Sequence, residues 1–331
     1  MQRFALIGAG FIGSVHAQNL AAHPGVDLRY VYDVDPLRAA HVAAAHGARP
    51  ARSLDEAFDA AEVDAVFIAS STDTHAALLR RAADAGIAAL VEKPIDLALA
   101  HARDVVAYVE AAGIPAMVDF NRRFDRDHAA LKRVVDSGEL GEIALLQLTS
   151  RGPSLPPIEY LKVSGGQMRD QTVHFFDLAR WITGCDPVEV HVMGSALSDP
   201  RVAAIGDVDT SIATLRLPGG ALVQIDSVRH TGYGYDERIE VLGSAGMAES
   251  GRMRAGNVTR FVGPAATSEG LHAGWFERVR PTYAAALTAF VTALDENTTP
   301  PVTLRDGLRA QAIAEAATLS LQTGLPQTIA A

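Results

Sequence analysis

Phe4-Ala5-Leu6-Ile7-Gly8-Ala9-Gly10-Phe11-Ile12-Gly13 decides how the first part of the chain folds. Phe4 to Ile7 is an unbroken apolar run, the pattern of a strand buried on both faces. Gly8, Gly10 and Gly13 follow in the spacing G-x-G-x-x-G, and a helical pattern then runs to about Ala22. Between strand and helix, the first glycine permits a tight turn and the second lets backbone approach a pyrophosphate. The third lets the helix pack on the strand. The helix start, with Phe11 and Ile12, brings N–H donors and a favourable dipole to the phosphates. A second strand, Val26 to Tyr32, ends at Asp33, twenty residues beyond Gly13. An acid there accepts hydrogen bonds from the adenosine ribose and repels a 2′-phosphate, so the expected cofactor is NAD rather than NADP. Asp35 is the rival for that role.

The alternation continues. Pro36 to His46 reads as a helix with proline at its start, and Ser53-Leu54-Asp55-Glu56 is a capping-box signature. Ala65 to Ala69 is another buried strand, and Ser70, Ser71 and Thr72 stand at its C-terminal end. Ligands bind at strand C-termini in open α/β sheets, so these residues are expected to line the cofactor crevice. His75 is counted with them, at the start of the next helix. Ala88 to Val91 is the next strand, with Glu92-Lys93-Pro94 at its end. Glu92 and Lys93 join the cofactor set. The Lys93 ammonium is also placed to hydrogen-bond a substrate oxygen and share its developing charge. A helix over Leu97 to Ala112 and a strand over Ala116 to Phe120 complete a doubly wound sheet, so a Rossmann dinucleotide-binding domain is expected over residues 1–120.

After Asn121-Arg122-Arg123-Phe124 the rhythm changes. A helix near Asp127 to Ser137 precedes a strand over Ile143 to Ser150. Strand patterns recur at Val188–Val192, Thr210–Leu217, Ala221–Val228 and Arg238–Leu242, with Pro218-Gly219-Gly220 the clearest turn. Consecutive strands without helices predict a mainly antiparallel sheet, so residues 121–331 are expected to form an α+β substrate-binding domain. Helices over about Gly274 to Glu296 and Leu304 to Thr323 close the chain. The two glycines at Gly165 and Gly166 precede a helical pattern from Asp170 to Thr183. Asp170, His174 and Asp177 fall at i, i+4 and i+7, one face of that helix. A carboxylate one turn from an imidazole suits proton handling near neutrality.

Composition narrows the classes. The 331 residues carry a net charge of −10 with both signs interspersed, which leaves no basic footprint for nucleic acid or anionic membrane. Cys185 is the only cysteine, which excludes an internal disulfide and a cysteine-rich zinc site and fits a cytoplasmic setting. The apolar start meets glycines too soon for a signal core or a membrane span.

Taken together, Gly8-x-Gly10-x-x-Gly13, Glu92-Lys93-Pro94 and Asp170-x-x-x-His174 resemble the Gfo/Idh/MocA oxidoreductase family through essentially the whole chain. Phe120 to Asp125, Tyr160 to Gly166 and Tyr233 to Asp236 are similar to stretches of its bacterial inositol 2-dehydrogenases. The resemblance implies an NAD-dependent dehydrogenase that oxidises a secondary hydroxyl of myo-inositol or a related cyclitol. Scyllo-inositol, an aminocyclitol or a pyranose sugar are the alternative substrates, and a non-catalytic NAD-sensing regulator is the reading from another class. Lys93, Asp170 and His174 are implied as catalytic, with Asp177 in support and no metal. Asn121, Arg122, Arg151, Tyr160, Tyr233, Tyr235 and Tyr283 are the expected substrate contacts, with His230 a further polar candidate. The resemblance also implies that the sheet of residues 121–331 is a large, mainly antiparallel open sheet that serves oligomerisation, in a homodimer or homotetramer. The chain departs from many inositol dehydrogenases at Phe175, where an acidic residue commonly follows the histidine, and at Ser150, where some relatives carry histidine.

Overall fold

The structure, a computed structural model, describes residues 1–330. Its contacts divide the chain into two compact units. Residues 1–121 and 282–308 form the first, and residues 122–281 with the chain from Arg309 onward form the second.

In the first unit, strands β1 (Gln2–Ile7), β2 (Val26–Tyr32), β3 (Arg49–Pro50), β4 (Ala65–Ile68), β5 (Ala88–Val91) and β6 (Ala116–Val118) make one sheet. The helices between them are α1 (Phe11–Ala22), α2 (Pro36–Ala45), α3 (Leu54–Ala57), α4 (Thr72–Ala85) and α5 (Leu99–Ala112). The strand order is β3-β2-β1-β4-β5-β6, with every pair parallel. Chain direction across the sheet reverses between β1 and β4, the switch point where such sheets bind ligands. Every residue of β4 and β5 is buried, as their unbroken apolar runs require. Ser53 caps α3 by accepting from the Glu56 N–H at 3.3 Å, while the Glu56 carboxylate accepts from the Arg52 N–H rather than from Ser53.

Residues 282–308 were expected in the second domain, and here they pack with the first unit. Phe290 meets Phe4 edge to face at 6.3 Å between ring centroids, and the Val302 carbonyl accepts from the Val118 N–H at 3.1 Å. A helical period shows that a terminal helix has an apolar face, but not which sheet that face covers.

The second unit is built on a seven-stranded sheet. Its elements are α6 (Arg126–Asp136), β7 (Ile143–Arg151), α7 (Ile158–Leu161), α8 (Val173–Thr183), β8 (Glu189–Ser195), α9 (Pro200–Ala204), β9 (Thr210–Arg216), β10 (Leu222–Val228), β11 (Asp236–Gly243) and β12 (Met247–Ser250). A hairpin of β13 (Thr259–Val262) and β14 (Ala265–Ser268) follows, then α10 (Trp275–Asp295), α11 (Leu304–Thr323) and β15 (Gln327–Thr328). Both long helices begin in one unit and end in the other. The order is β12-β11-β7-β10-β9-β8-β15, antiparallel except for the parallel pair β7–β10. β9 and β10 alternate buried with more exposed residues, so the sheet buries one face.

Asp125 caps α6, accepting from the Asp127 and His128 N–H groups at 3.0 and 3.1 Å, and its other oxygen pairs with Arg278. Burial alone would raise this carboxyl, but the charge of His128, the Arg278 guanidinium and the capping amide outweigh it and hold the pKa at about 2. A depressed carboxylate stabilises the fold above its unfolded pKa and loses that contribution as pH falls through the folded value. We therefore expect about 2 kcal/mol of stability to disappear between roughly pH 4 and pH 2 through this group. Chemical denaturation across that range should show a smaller loss in Asp125→Asn, which is less stable throughout; an equal loss in both would exclude the assignment.

Candidate functional site

The glycine loop joins β1 to α1. Gly8 has φ of +97°, and a Cβ on it would lie 2.6 Å from the Ala69 carbonyl and the Ser70 nitrogen. A Cβ on Gly13 would lie 2.1 Å from the Gly8 oxygen, so neither position admits a side chain. Gly10 differs: nothing stands within 4 Å of its missing Cβ. The fold needs the outer two glycines, and the middle one leaves open space before α1, whose start has no side-chain cap. A cavity of about 390 Å³ is lined here by Gly8, Gly10, Asp33, Arg38, Ser70 and Ser71, among others.

The Asp33 carboxylate accepts from the Ala9 N–H at 2.7 Å and from the Asp35 N–H at 2.9 Å, which ties the end of β2 to the glycine loop. Asp35 instead caps α2, accepting from the N–H groups of Leu37 and Arg38. Arg38, which the sequence reading passed over, lies 3.6 Å from Asp33 and 3.7 Å from Asp35. Its only signal was a basic side chain three residues after a helix cap. An open glycine, uncapped helix donors and a fixed acid fit a dinucleotide, with Phe11 and Ile12 in the first turn of the helix. Ser70 shares a hydrogen bond with Thr74 at 2.6 Å, and Ser71 and Thr72 begin α4. His75 is buried, with its ring nitrogens 2.8 Å from the Pro94 oxygen and 3.1 Å from the Ser70 oxygen. It joins the two strand ends.

Lys93 is half-buried beyond the end of β5, and its N–H donates to the Glu92 carboxylate at 3.1 Å. Glu92 faces inward against His16. Asn121 donates to the Thr282 hydroxyl at 2.9 Å, and both are buried. Tyr283 sets its ring edge-on to His16.

In the second unit, residues expected as the start of one α-helix divide. Met168–Thr172 is a single π-helical turn, and α8 begins only at Val173. Such turns occur often at functional sites. Asp170 lies in the π turn and the half-buried His174 in the first turn of α8. One Asp170 oxygen accepts from the Tyr160 hydroxyl at 2.8 Å, the other from the Arg229 guanidinium at 3.0 Å. Arg229 is buried, and Asp207 lies 3.6 Å from it on a second side. Sequence offered no handle on Arg229 beyond its place just past a strand.

Asp177 engages Arg123 through two hydrogen bonds of 2.8 and 2.6 Å, both groups being buried. The Arg151 guanidinium donates to Asp226 at 2.5 Å and to the Tyr233 hydroxyl at 3.2 Å, and Tyr233 in turn donates to Asp236 at 2.9 Å. The Asp226 hydrogen bond pushes the Arg151 pKa up, against the cost of burial. Arg122 lies 3.2 Å from Glu237 and 3.4 Å from the Tyr235 hydroxyl. Burial, reinforced by the Glu237 charge, pushes the Tyr235 phenol up. His230 is exposed.

Comparison with known proteins matches both units to described families. Residues 2–120 match the oxidoreductase family with an NAD-binding Rossmann fold, and residues 128–249 match the GFO/IDH/MocA C-terminal domain. The chain is 38% identical to the inositol 2-dehydrogenase of Rhizobium meliloti, over 96% of each chain. It is 36% identical to the myo-inositol 2-dehydrogenase of Thermotoga maritima, over 97% of this chain and 96% of that one. Among solved structures, a myo-inositol dehydrogenase from Corynebacterium glutamicum superposes with a TM-score of 0.94 at 36% identity, covering 100% of this chain and 99% of its own.

The pairing of Asp33 with Arg38 sets an expectation for cofactor choice. Asp33→Ser removes the acid that repels a 2′-phosphate and leaves the guanidinium to receive it, so NADP affinity should rise roughly tenfold or more. Asp33→Ser with Arg38→Ala should lose that gain. Titration of both cofactors into the three proteins decides it, and an unchanged NADP affinity in Asp33→Ser would place the discrimination elsewhere.

Proposed function

The chain belongs to the Gfo/Idh/MocA oxidoreductase family, and from that premise we propose that it is an NAD-dependent dehydrogenase of a cyclitol, oxidising a secondary hydroxyl of myo-inositol or a related inositol to the ketone. One observation carries the catalytic assignment: Asp170 is fixed through both oxygens, by Tyr160 and buried Arg229, one turn ahead of a half-buried His174. A carboxylate held in that way orients and charges a neighbouring acid–base system without drifting.

The cofactor is assigned to Gly8, Gly10, Phe11, Ile12, Gly13, Asp33, Ser70, Ser71 and Thr72, with His75 and Glu92 bracing the strand ends. When bound, NAD supplies the two-electron acceptor. His174 takes the hydroxyl proton, Asp170 orients it and stabilises its charged form, and Lys93 hydrogen-bonds the substrate oxygen and shares its negative charge. A polyol offers hydroxyls that both donate and accept, which suits Arg151, Tyr160 and Tyr233, polar candidates that keep exposed surface, as His230 does. Asn121, Arg122, Tyr235 and Tyr283 complete the proposed substrate contacts, and all four are buried.

A homodimer or homotetramer is proposed on the open face of the seven-stranded sheet. Met193 and Ile212, paired across β8 and β9, stand 72% and 51% exposed there, unusual for side chains of that size. No helix among the described residues is long and apolar enough to cross a membrane, and a cytoplasmic site of action is proposed with the lone, exposed Cys185 in support.

Turnover followed by NADH absorbance, with myo-inositol, scyllo-inositol, aminocyclitols and pyranoses offered in parallel, tests the reading. Inositols should be the best substrates. His174→Ala and Lys93→Met should each lower kcat by roughly a thousandfold while the NAD dissociation constant stays near the parent value. No turnover with any of these polyols despite tight NAD binding would overturn the proposal, and parent-like variants would overturn the residue assignment.

A further inference from the structure

His16, Glu92 and Asp119 form a buried cluster inside the first unit, of which the reading above uses only Glu92, as a brace. His16 lies on α1, three residues beyond Gly13, while Glu92 and Asp119 follow the ends of β5 and β6. Their exposures are 0%, 8% and 1%. Two carboxylates at that depth are costly unless another charge or donor compensates them.

The imidazole is built into place. Its ring lies against Phe67, 3.8 Å between centroids and tilted by 32°, with the Tyr283 ring edge-on at 5.3 Å. That leaves Nε2 aimed at the acids, 2.9 Å from Glu92 Oε1 and 3.7 Å from Asp119 Oδ2. The second Glu92 oxygen, Oε2, accepts from the backbone N–H of Lys93 at 3.1 Å. Burial pushes the Glu92 carboxyl up, but the hydrogen bond and charge of His16, with Lys93 and His75 nearby, outweigh it and leave it lowered. A ring with no exposure, enclosed by Phe67 and Tyr283, is not offering itself to a ligand.

We infer that His16 is a positioning residue for Lys93, acting through Glu92: the helix whose N-terminus meets the phosphates also fixes the turn that presents the ammonium. One carboxylate bridges the two, with one oxygen on the helix and the other on the Lys93 backbone. The inference rests on the role proposed above for Lys93.

His16→Phe keeps an aromatic ring and removes the donor, whereas His16→Gln keeps a donor of similar reach. In the apo protein, hydrogen–deuterium exchange of the Lys93 amide should quicken in His16→Phe, with β1 and β4 as protected as in the parent. In the loaded enzyme, kcat with myo-inositol should fall by about 100-fold, the cost of a small misplacement, at an unchanged NAD dissociation constant. His16→Gln should restore most of both, and His16→Phe should cost nothing further in a Lys93→Met background. Parent-like exchange and kcat in His16→Phe, or loss of protection across β1 and β4 together with Lys93, would overturn the inference. Should His16→Phe fail to fold, His16→Leu serves instead, removing the same donor, with the same pattern expected and parent-like behaviour decisive against it. If Lys93→Met itself turns over normally, the role of Lys93 falls, while the exchange measurement still reports separately on the His16 contact.

Discussion

The first unit depends on a single close approach. The start of α1 runs so near the end of β1 that a Cβ on Gly13 would sit 2.1 Å from the Gly8 oxygen. That approach draws the helix onto the sheet, points its first N–H groups at the cavity beyond β1, and brings His16 over the ends of β5 and β6. A side chain at Gly13 would push the helix away and disturb the phosphate cradle and the charged cluster together. Asp33 closes the arrangement from the other strand, holding the loop by its Ala9 N–H. The cavity is therefore a consequence of how tightly one helix packs, and its polar groups are fixed before any ligand arrives.

The second unit is organised by buried charges that are answered locally. Arg123 is matched to Asp177, Arg122 to Glu237, Arg278 to Asp125, and Arg229 to Asp170 and Asp207. Buried pairs of this kind add little net stability over apolar packing, yet breaking one by removing a partner is expensive. Their value is geometric: each fixes an orientation that a flexible side chain would otherwise lose. Arg229 is the pair that reaches the proposed site, because its partner Asp170 sits in the one π-helical turn among the described residues. The turn shifts the residues before Val173 out of α-helical register, so Asp170 meets Tyr160 and Arg229 while Asp177 turns inward to Arg123.

What could be read from sequence follows from the range of each interaction. The strand–glycine–helix pattern and the β4 and β5 runs are local, and the parallel sheet came out as expected. So did the capping serine and the Pro218-Gly219-Gly220 turn. The antiparallel sheet was legible too, apart from the parallel β7–β10 pair and the short β12 and β15, whose few residues carry no period. Partners more than fifty residues apart were not legible. Nothing in the sequence joins Arg229 to Asp170, Arg123 to Asp177, or His16 to Glu92. The π turn was hidden for a related reason: one extra residue in a helical turn leaves the polar spacing of Asp170 and His174 unchanged.

Phe175 shows how structure redirects a sequence argument. As the residue after His174, where an acid is common among inositol dehydrogenases, it was the first departure to consider for substrate choice. It is only 2% exposed, on the buried face of α8. A side chain buried that fully fills volume and cannot read a hydroxyl. Ser150 is buried as well, and its hydroxyl accepts from Gln171 at 3.1 Å, so this departure is answered by a neighbour on the π turn. Gln171 spans from there to the Val228 carbonyl on β10, one residue before Arg229. The change at Ser150 is thus absorbed by a contact that braces the backbone around Asp170. In the proposed site, differences in preference among inositols are assigned to side chains that keep exposed surface, Tyr160 and Tyr233 above all. Each donates its hydroxyl to a carboxylate, to Asp170 and Asp236 respectively, and the Tyr233 oxygen also accepts from Arg151, so both phenols are held in fixed directions.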